Sequence, residues 1–192
     1  RHGDIKGSEI MRYIGHTDVN LSQKGLRQAE FWKDRLSGIS FDSIYTSDLT
    51  RTRQSADVVN AKRNIEIISS NLLREINLGT WDGKTVSEIK EKYPEEWTKR
   101  GDAITTYRTP GGENFTDVEK RVGPWFKQIT RQNLSNILVV THAGVIRIIL
   151  SGILKKDLNE LFKIRLGYGA LTVLNTLNDE LYLEQEPVLP DI

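Results

Sequence analysis

Residues 137–144 of the chain, ILVVTHAG, pass from four consecutive apolar residues to a histidine followed by two small residues. A continuous apolar run of this length is typical of a buried strand. The apolar residues between 145 and 154 then predict a helix that begins near Gly144. His142 therefore lies where a strand ends and a helix begins.

The same order of elements recurs along the chain. Residues 41–46 predict a strand and residues 49–61 a helix, so Arg51 lies at a second strand-to-helix junction. We expect further helices over 22–36, with Ser22 as N-cap, and over 86–93 and 117–132, whereas 101–113 form an irregular loop. Further strands are expected over 65–68, 171–174 and 180–184, the last two across a turn at Asn178-Asp179. Strands that alternate with helices predict an α/β sandwich with a mostly parallel sheet.

The composition is ordinary for a globular protein. Of the 192 residues, 38% are hydrophobic and 28% are charged, and the formal net charge is +1. This balance indicates no nucleic-acid partner, and the longest apolar stretch, residues 145–154, is only about half as long as a membrane span. The chain has no cysteine, which excludes disulfide and thiolate chemistry and favours a cytoplasmic location.

Four short motifs follow one another along the chain: Arg1-His2-Gly3, residues 47–51 (SDLTR), residues 73–75 (LRE) and residues 140–144 (VTHAG). In this order they resemble the histidine phosphatase superfamily, the phosphoglycerate mutase-like proteins, over nearly the whole chain. The resemblance implies a three-layer α/β/α sandwich with a mostly parallel central sheet, built by residues 1–192 as a single domain. It also implies a cap or loop segment, residues 81–115, over the site, and a first strand upstream of Arg1.

The same resemblance implies a role for each reactive side chain. His2 attacks phosphorus as a neutral imidazole and forms a phosphohistidine. Glu75 protonates the departing alkoxide and then acts as base on the water that hydrolyses the phosphoenzyme. His142 contacts the transferring phosphoryl group as a cationic donor. No metal ion or other cofactor is implied.

The expected phosphate-binding residues are two arginines and the start of a helix. Arg1 and Arg51 each carry a planar fork of donors that fits phosphate oxygens. The helix after His142 begins with free backbone N–H groups, so Ala143 joins His142 in binding the anion. In an open α/β sheet ligands collect beyond the carboxyl ends of the strands, so we expect these motifs to converge there.

Taken singly, each of these residues has a structural interpretation. A lone histidine is commonly structural or exposed, Glu75 alone is a solvated carboxylate, and Arg51 alone is a charge on a helix face, as Arg53 is. A metal site is disfavoured because the three histidines have no paired spacing and cysteine is absent. For His16 a structural and a substrate-side interpretation both stay open.

Three functions stay open: a phosphomonoesterase, a 2,3-bisphosphoglycerate-dependent phosphoglycerate mutase, and a non-catalytic phosphate-binding module. Mutases of the family usually continue Arg-His-Gly with Glu-Ser-x-Trp-Asn, whereas Gly7 and Ser8 stand at the Trp and Asn positions here. This departure favours hydrolysis, because a less enclosed site admits water. The presence of every reactive residue argues against the non-catalytic module.

Two stretches bear on the substrate. Residues 12–18 (RYIGHTD) and 110–115 (PGGENF) look most like the α-ribazole phosphatases of cobalamin biosynthesis, so α-ribazole 5'-phosphate is the leading substrate. Phosphoserine phosphatases and broad-specificity sugar phosphatases carry similar cores, and a shared fold does not determine a substrate. We expect a small-molecule phosphomonoester as the only class of partner, with no nucleic acid and no membrane, and a monomer or a homodimer.

Overall fold

The computed structural model describes residues 1–178 and 180–192, and of Leu161 it describes the backbone alone. The predicted turn at Asn178-Asp179 has its second residue outside the described residues. Short 3-10 helices at Asn71–Leu73 and Gly79–Trp81 join longer α-helices. The α-helices are α1 (Gln23–Arg35), α2 (Thr50–Asn60), α3 (Val86–Lys92), α4 (Pro94–Asp102), α5 (Phe115–Thr130), α6 (Ala143–Leu154) and α7 (Leu158–Leu161).

The described strands form two sheets. They are β1 (Ser43–Thr46), β2 (Ile67–Ser69), β3 (Ile137–Val140), β4 (Leu171–Leu177) and β5 (Glu180–Val188). β1 lies between β2 and β3, all three parallel, with Ile44 opposite both Ile67 and Leu138. β4 and β5 pair antiparallel in a sheet of their own. The predicted parallel sheet is therefore confirmed, and the last two strands extend further than expected.

Helices cover both faces of the parallel sheet because successive side chains of a strand point to opposite sides. On one face Ile44 belongs to an apolar cluster with Ala56 of α2, and α1 packs against α2. On the other face Tyr45 belongs to a cluster with Trp125 of α5 and Ile148 of α6. The architecture is the predicted three-layer α/β/α sandwich.

The segment after His2 packs tightly against the start of α1. Ser22 caps this helix as predicted, since its Oγ accepts a hydrogen bond from Gly25 N at 3.0 Å. The same hydroxyl donates to Asp4 Oδ2 at 2.6 Å. A Cβ atom on Gly3 would overlap the backbone of Gly25. Glycine at position 3 is thus required by the close approach of two backbones.

Residues 81–115 are more regular than the sequence indicated. α3 ends at Lys92, two residues before Pro94, and Pro94 is the first residue of α4. A proline is favoured at this position because the N–H of the first helical residue makes no hydrogen bond within the helix. α3 begins with a capping box between Thr85 and Glu88. Trp81 and Ile89 anchor the segment in the core at 2% and 0% exposure.

A groove of about 340 Å³ separates the two sheets and is lined by residues of β3 and of β4. Arg1 lies among the groove residues, and its backbone nitrogen donates to Ala170 O at 2.7 Å. The strand expected upstream of Arg1 stays a prediction, as do the single-domain organisation of residues 1–192 and the placement of residues 81–115 over the site.

Truncation of Ile89 should destabilise the protein, because it leaves a cavity where α3 and the segment around Trp81 meet the core. For Ile89→Ala we expect the free energy of unfolding to fall by about 2–5 kcal/mol, measured by urea denaturation. Ile10→Ala is the matched control, since Ile10 is 48% exposed. Equal losses in the two variants would show that Ile89 is not a core residue.

Candidate active site

His2 is buried at the edge of the parallel sheet, with its backbone held on both sides. His2 N donates to Thr141 O at 3.0 Å, and His2 O accepts from Gly169 N at 2.8 Å. The ring Nδ1 lies 2.7 Å from Gly3 O. Because a carbonyl oxygen only accepts, Nδ1 carries the hydrogen and Nε2 keeps its lone pair. The hydrogen bond thus selects the tautomer that can attack through Nε2.

Burial also holds His2 in its neutral form. Loss of hydration, followed by the charges of Arg1 and Arg51, lowers the pKa of His2 well below its usual 6.5. An imidazolium placed there would be poorly hydrated and repelled by both guanidinium groups. At neutral pH the side chain is therefore neutral, with Nε2 unprotonated.

His142 is the N-cap residue of α6 and is fully buried. Its ring lies edge-on to that of His2, with centroids 5.1 Å apart, and its Nε2 lies 2.8 Å from Ser47 Oγ. Burial, then His2 and Arg51, lowers the pKa of His142 well below 6.5. The protein alone therefore holds a neutral His142, where the sequence predicted a cationic donor.

Arg51 lies in the first turn of α2 and is 1% exposed. Its terminal nitrogens do not form the free fork predicted for phosphate. Nη1 donates to Thr17 O at 2.9 Å and Nη2 to Gly15 O at 2.6 Å, while Nε has no partner among the described residues. Each terminal nitrogen keeps a second N–H, so Arg51 remains able to donate to an anion.

Arg1 is held in a similar way on the other side of His2. Its Nη1 donates to Leu166 O at 2.5 Å, and its guanidinium carbon lies 4.0 Å from the centre of the Tyr168 ring. That ring also lies 5.6 Å from the His2 ring. Tyr168 is a site residue that the sequence reasoning missed; its position between two glycines ahead of β4 was the only local signal.

Three buried nitrogens beside His2 have no acceptor among the described residues: Arg1 Nε, Arg51 Nε and His142 Nδ1. Burial is the largest effect on the pKa of each arginine and lowers it. The two arginine Nε atoms are N–H donors, and His142 Nδ1 is a donor when the ring proton is on that atom. A buried donor without an acceptor costs free energy, so these atoms favour an anionic ligand that accepts from them. This arrangement is what a phosphoryl group requires.

Glu75 lies at the N-terminus of α6. Its Oε1 and Oε2 accept from Gly144 N at 3.1 and 3.2 Å, and Oε1 also accepts from Ile76 N at 3.0 Å. A Cβ atom on Gly144 would collide with Oε1, so the glycine after Ala143 leaves space for the carboxylate. The negative charge acts on both Arg1 and Arg51, which places Glu75 within the same cluster.

His16 joins this cluster through the backbone of Glu75. Its Nε2 lies 3.0 Å from Glu75 O and therefore carries the hydrogen. Burial lowers the pKa of His16 below 6.5. The structure thus brings His16 to the edge of the site, next to the predicted acid.

The structure brings together all six residues that the sequence predicted for the site, which are His2, Glu75, His142, Arg1, Arg51 and Ala143. Arg53 is exposed, which agrees with its interpretation as a charge on a helix face. Across the described part of the chain, no group of three or more His, Asp or Glu side chains is placed to hold a metal ion. No helix of residues 1–178 or 180–192 is long and apolar enough to cross a membrane.

Residues 1–186 match the sequence profile of the histidine phosphatase superfamily, branch 1. The chain belongs to this superfamily. The predicted family is therefore confirmed, and the chain is an enzyme of the histidine phosphatase type.

Two curated relatives and one solved structure show the range of the superfamily near this chain. It is 28% identical to phosphoserine phosphatase 1 of Hydrogenobacter thermophilus, over 91% of this chain and 83% of that one. It is 33% identical to 6-phosphofructo-2-kinase/fructose-2,6-bisphosphatase 1 of Rattus norvegicus over 84% of this chain, which spans only 33% of that relative. The crystal structure of the alpha-ribazole phosphatase from Shigella flexneri has a TM-score of 0.90 at 22% identity, covering 100% of this chain and 94% of that one. At that identity the likeness confirms the fold alone.

The buried neutral histidines should make the protein sensitive to mild acid. Unfolding exposes His2 and His142, whose pKa values then rise to about 6.5, so the unfolded chain takes up protons that the folded one does not. The contribution of the two histidines to the free energy of unfolding is fully present above pH 6.5. Below that pH the free energy of unfolding falls, by up to about 1.4 kcal/mol per pH unit for each histidine.

Urea denaturation of the wild type, His2→Gln and His142→Gln in phosphate-free buffer between pH 6.5 and 5 measures this slope. Each substitution should reduce the slope of the free energy of unfolding with pH by about the contribution of one histidine. Identical slopes in all three proteins would contradict the assignment of these histidines as neutral.

Proposed function

We propose that the chain is a metal-independent phosphomonoesterase that acts through a phosphohistidine at His2. One observation carries the proposal. The Nδ1–H bond to Gly3 O leaves a lone pair on His2 Nε2, and three buried nitrogens of the neighbouring Arg1, Arg51 and His142 have no partner among the described residues. A nucleophile and an anion site thus share one position. Arg1, Arg51 and His142 supply the donors.

In the first step Nε2 of His2 attacks phosphorus, and the P–O bond to the leaving group breaks. The electron pair goes to the leaving oxygen, which takes a proton from the Glu75 carboxyl group. The equatorial oxygens accept hydrogen bonds from Arg1, Arg51 and His142, whose positions are held by the protein before the substrate binds. Preorganised donors of this kind stabilise the transition state without reorganisation.

In the second step Glu75, now a carboxylate, removes a proton from water as its oxygen attacks phosphorus. The P–Nε2 bond breaks, inorganic phosphate leaves, and His2 returns to its neutral tautomer. Glu75 ends the cycle protonated, so protons balance over the two steps. No step requires a metal ion or an external cofactor.

His142 acts as a neutral donor in this proposal. When Ser47 Oγ–H donates to Nε2, the ring proton is on Nδ1, the atom that has no other partner. Nδ1–H then donates to the phosphoryl group. This replaces the cationic His142 that the sequence predicted, because burial and two guanidinium groups oppose a further positive charge.

Hydrolysis is favoured over phosphoryl transfer to a second substrate. Gly7 and Ser8, which stand where mutases of the family carry Trp and Asn, are exposed. They provide no bulky wall that would exclude water from the phosphohistidine. A non-catalytic phosphate-binding module would not need the neutral nucleophilic tautomer or the carboxyl group at its side.

We propose α-ribazole 5'-phosphate as the first substrate to test. The likeness of residues 12–18 and 110–115 to α-ribazole phosphatases supports it. Phosphoserine is the second candidate, because the chain is 28% identical to a phosphoserine phosphatase over most of both lengths. A cytoplasmic location and a monomeric or homodimeric state stay predictions.

The His2→Ala variant should hydrolyse no para-nitrophenyl phosphate, because the covalent route loses its nucleophile. Wild-type turnover should survive EDTA, and rapid acid-free quenching should trap a phosphoprotein in the wild type alone. Circular dichroism of both proteins controls for folding. Activity in a folded His2→Ala protein would overturn the mechanism, and loss of wild-type activity in EDTA would overturn its independence of metal.

Glu75→Gln should slow alkyl phosphates far more than aryl phosphates, because an aryl oxide leaves without a proton. We expect a loss on the order of 10²-fold or more for an alkyl phosphate, and a much smaller one for the aryl ester in the phosphorylation step. Single-turnover measurement of phosphoenzyme formation separates this step from hydrolysis. Equal slowing of both substrates would remove Glu75 from the role of acid.

A further inference from the structure

A single carboxylate, that of Asp82, holds the loop at residues 15–17 through its N–H groups. Gly15 N and Thr17 N donate to Oδ1 at 3.1 and 3.2 Å, and His16 N donates to Oδ2 at 2.6 Å. The Thr17 hydroxyl donates to Oδ1 at 2.6 Å. Four donors therefore converge on one carboxylate, three on Oδ1 and one on Oδ2.

The opposite side of the same loop binds the reactive side chains. The carbonyl oxygens of Gly15 and Thr17 accept from the two terminal nitrogens of Arg51 at 2.6 and 2.9 Å. The His16 ring donates to Glu75 O at 3.0 Å. The loop thus connects Asp82 with the arginine that faces the phosphoryl group and with the backbone of the proposed acid.

One peptide group makes the connection rigid. The carbonyl of Gly15 and the N–H of His16 belong to the same planar unit, which accepts from Arg51 at one end and donates to Asp82 at the other. Both contacts are 2.6 Å and involve a charged group, which strengthens them. Because the peptide group is planar, a displacement of the His16 N–H that follows the Asp82 carboxylate also displaces the Gly15 carbonyl that orients Arg51.

Asp82 is itself well anchored. It follows the 3-10 helix Gly79–Trp81, and Trp81 is 2% exposed. Asp82 N donates to Gly79 O at 3.1 Å, and Gly83 N donates to Tyr13 O at 2.7 Å. Because the backbone around Asp82 is held in place, the Asp82 carboxylate can hold the loop at residues 15–17 in one position.

We propose that Asp82 is a positioning residue that aligns the Arg51 guanidinium with the phosphoryl group through the loop at residues 15–17. The inference rests on the proposed function, in which Arg51 donates to that group. It predicts that Asp82, which touches no substrate, controls phosphate affinity and turnover. At metal sites, mutation of a residue that orients a ligand-binding side chain lowers metal affinity or activity about 10- to 100-fold. We expect a loss of phosphate affinity of comparable size here.

The test compares Asp82→Asn with Asp42→Asn as a matched control. The Asp42 carboxylate also accepts from two backbone N–H groups, those of Ser135 and Asn136 at 2.6 and 2.9 Å. Asp42 comes immediately before the start of β1, at the opposite end of the strand from the site. The binding of inorganic phosphate is measured by calorimetry, and the hydrolysis of para-nitrophenyl phosphate by kcat and KM. Asp82→Asn should weaken phosphate binding about tenfold or more and lower kcat, whereas Asp42→Asn should leave both near the wild-type values.

A double-mutant cycle separates positioning from general loss of stability. If Asp82 acts through Arg51, Asp82→Asn should weaken phosphate binding by less than about twofold when Arg51→Ala is already present. Effects that multiply in the double variant would overturn the proposal, as would unchanged phosphate binding in a folded Asp82→Asn protein. If Asp82→Asn does not fold, Thr17→Val, which removes one donor to Asp82, replaces it in the same cycle.

Phosphate binding does not depend on turnover, so the two proposals can fail separately. Coupling between Asp82 and Arg51 in a protein that hydrolyses no phosphomonoester would overturn the proposed function and leave the positioning role supported. Turnover that depends on His2 but not on Asp82 would overturn the positioning role alone.

Discussion

The site depends on one constraint: positively charged and donor groups are buried around His2 without a carboxylate bound to either arginine. Arg1 and Arg51 bind backbone carbonyls, and within the described residues neither forms an ion pair. A carbonyl orients a guanidinium group without neutralising it. The full positive charge therefore remains for the ligand, in surroundings where water screens it weakly.

Two other arginines of the chain, unlike Arg1 and Arg51, bind carboxylates. Arg74 forms two hydrogen bonds with Asp48, at 2.7 and 2.6 Å, and Arg121 binds Glu113 at 2.9 Å. In these two pairs, at the margin of the site, the charge of each arginine is neutralised by a carboxylate. The pairs hold the loops that carry them. Glu75, whose charge acts on both buried arginines, accepts from the backbone N–H groups of Ile76 and Gly144. Among the described residues it forms no ion pair with either arginine, so both kinds of group stay available for chemistry.

The protonation states of the histidines follow from the same constraint. Burial is the main reason that the pKa values of His2 and His142 are lowered, and the charges of Arg1 and Arg51 lower them further. For His2 the neutral form is what nucleophilic attack requires. For His142 it means that the arginines, rather than the imidazole, carry the positive charge beside His2.

The sequence by itself indicated the strands of the parallel sheet, most of the helices and the six residues that the structure brings together, but not α4 or Tyr168. Apolar runs of strand length, a serine N-cap and helical spacing are local signals, and the strand ends at residues 47 and 141 brought the motifs together because parallel strands share one carboxyl edge. Tertiary structure alone decided the partners of the reactive groups. His16 N meets Asp82 from 66 residues away in the chain, Arg51 meets Gly15 O from 36 away, and Tyr168 reaches His2 across nearly the whole chain. Such contacts depend on how loops pack against one another, which no local spacing encodes, and they decide which donors of Arg51 are engaged and which partner His142 Nε2 has.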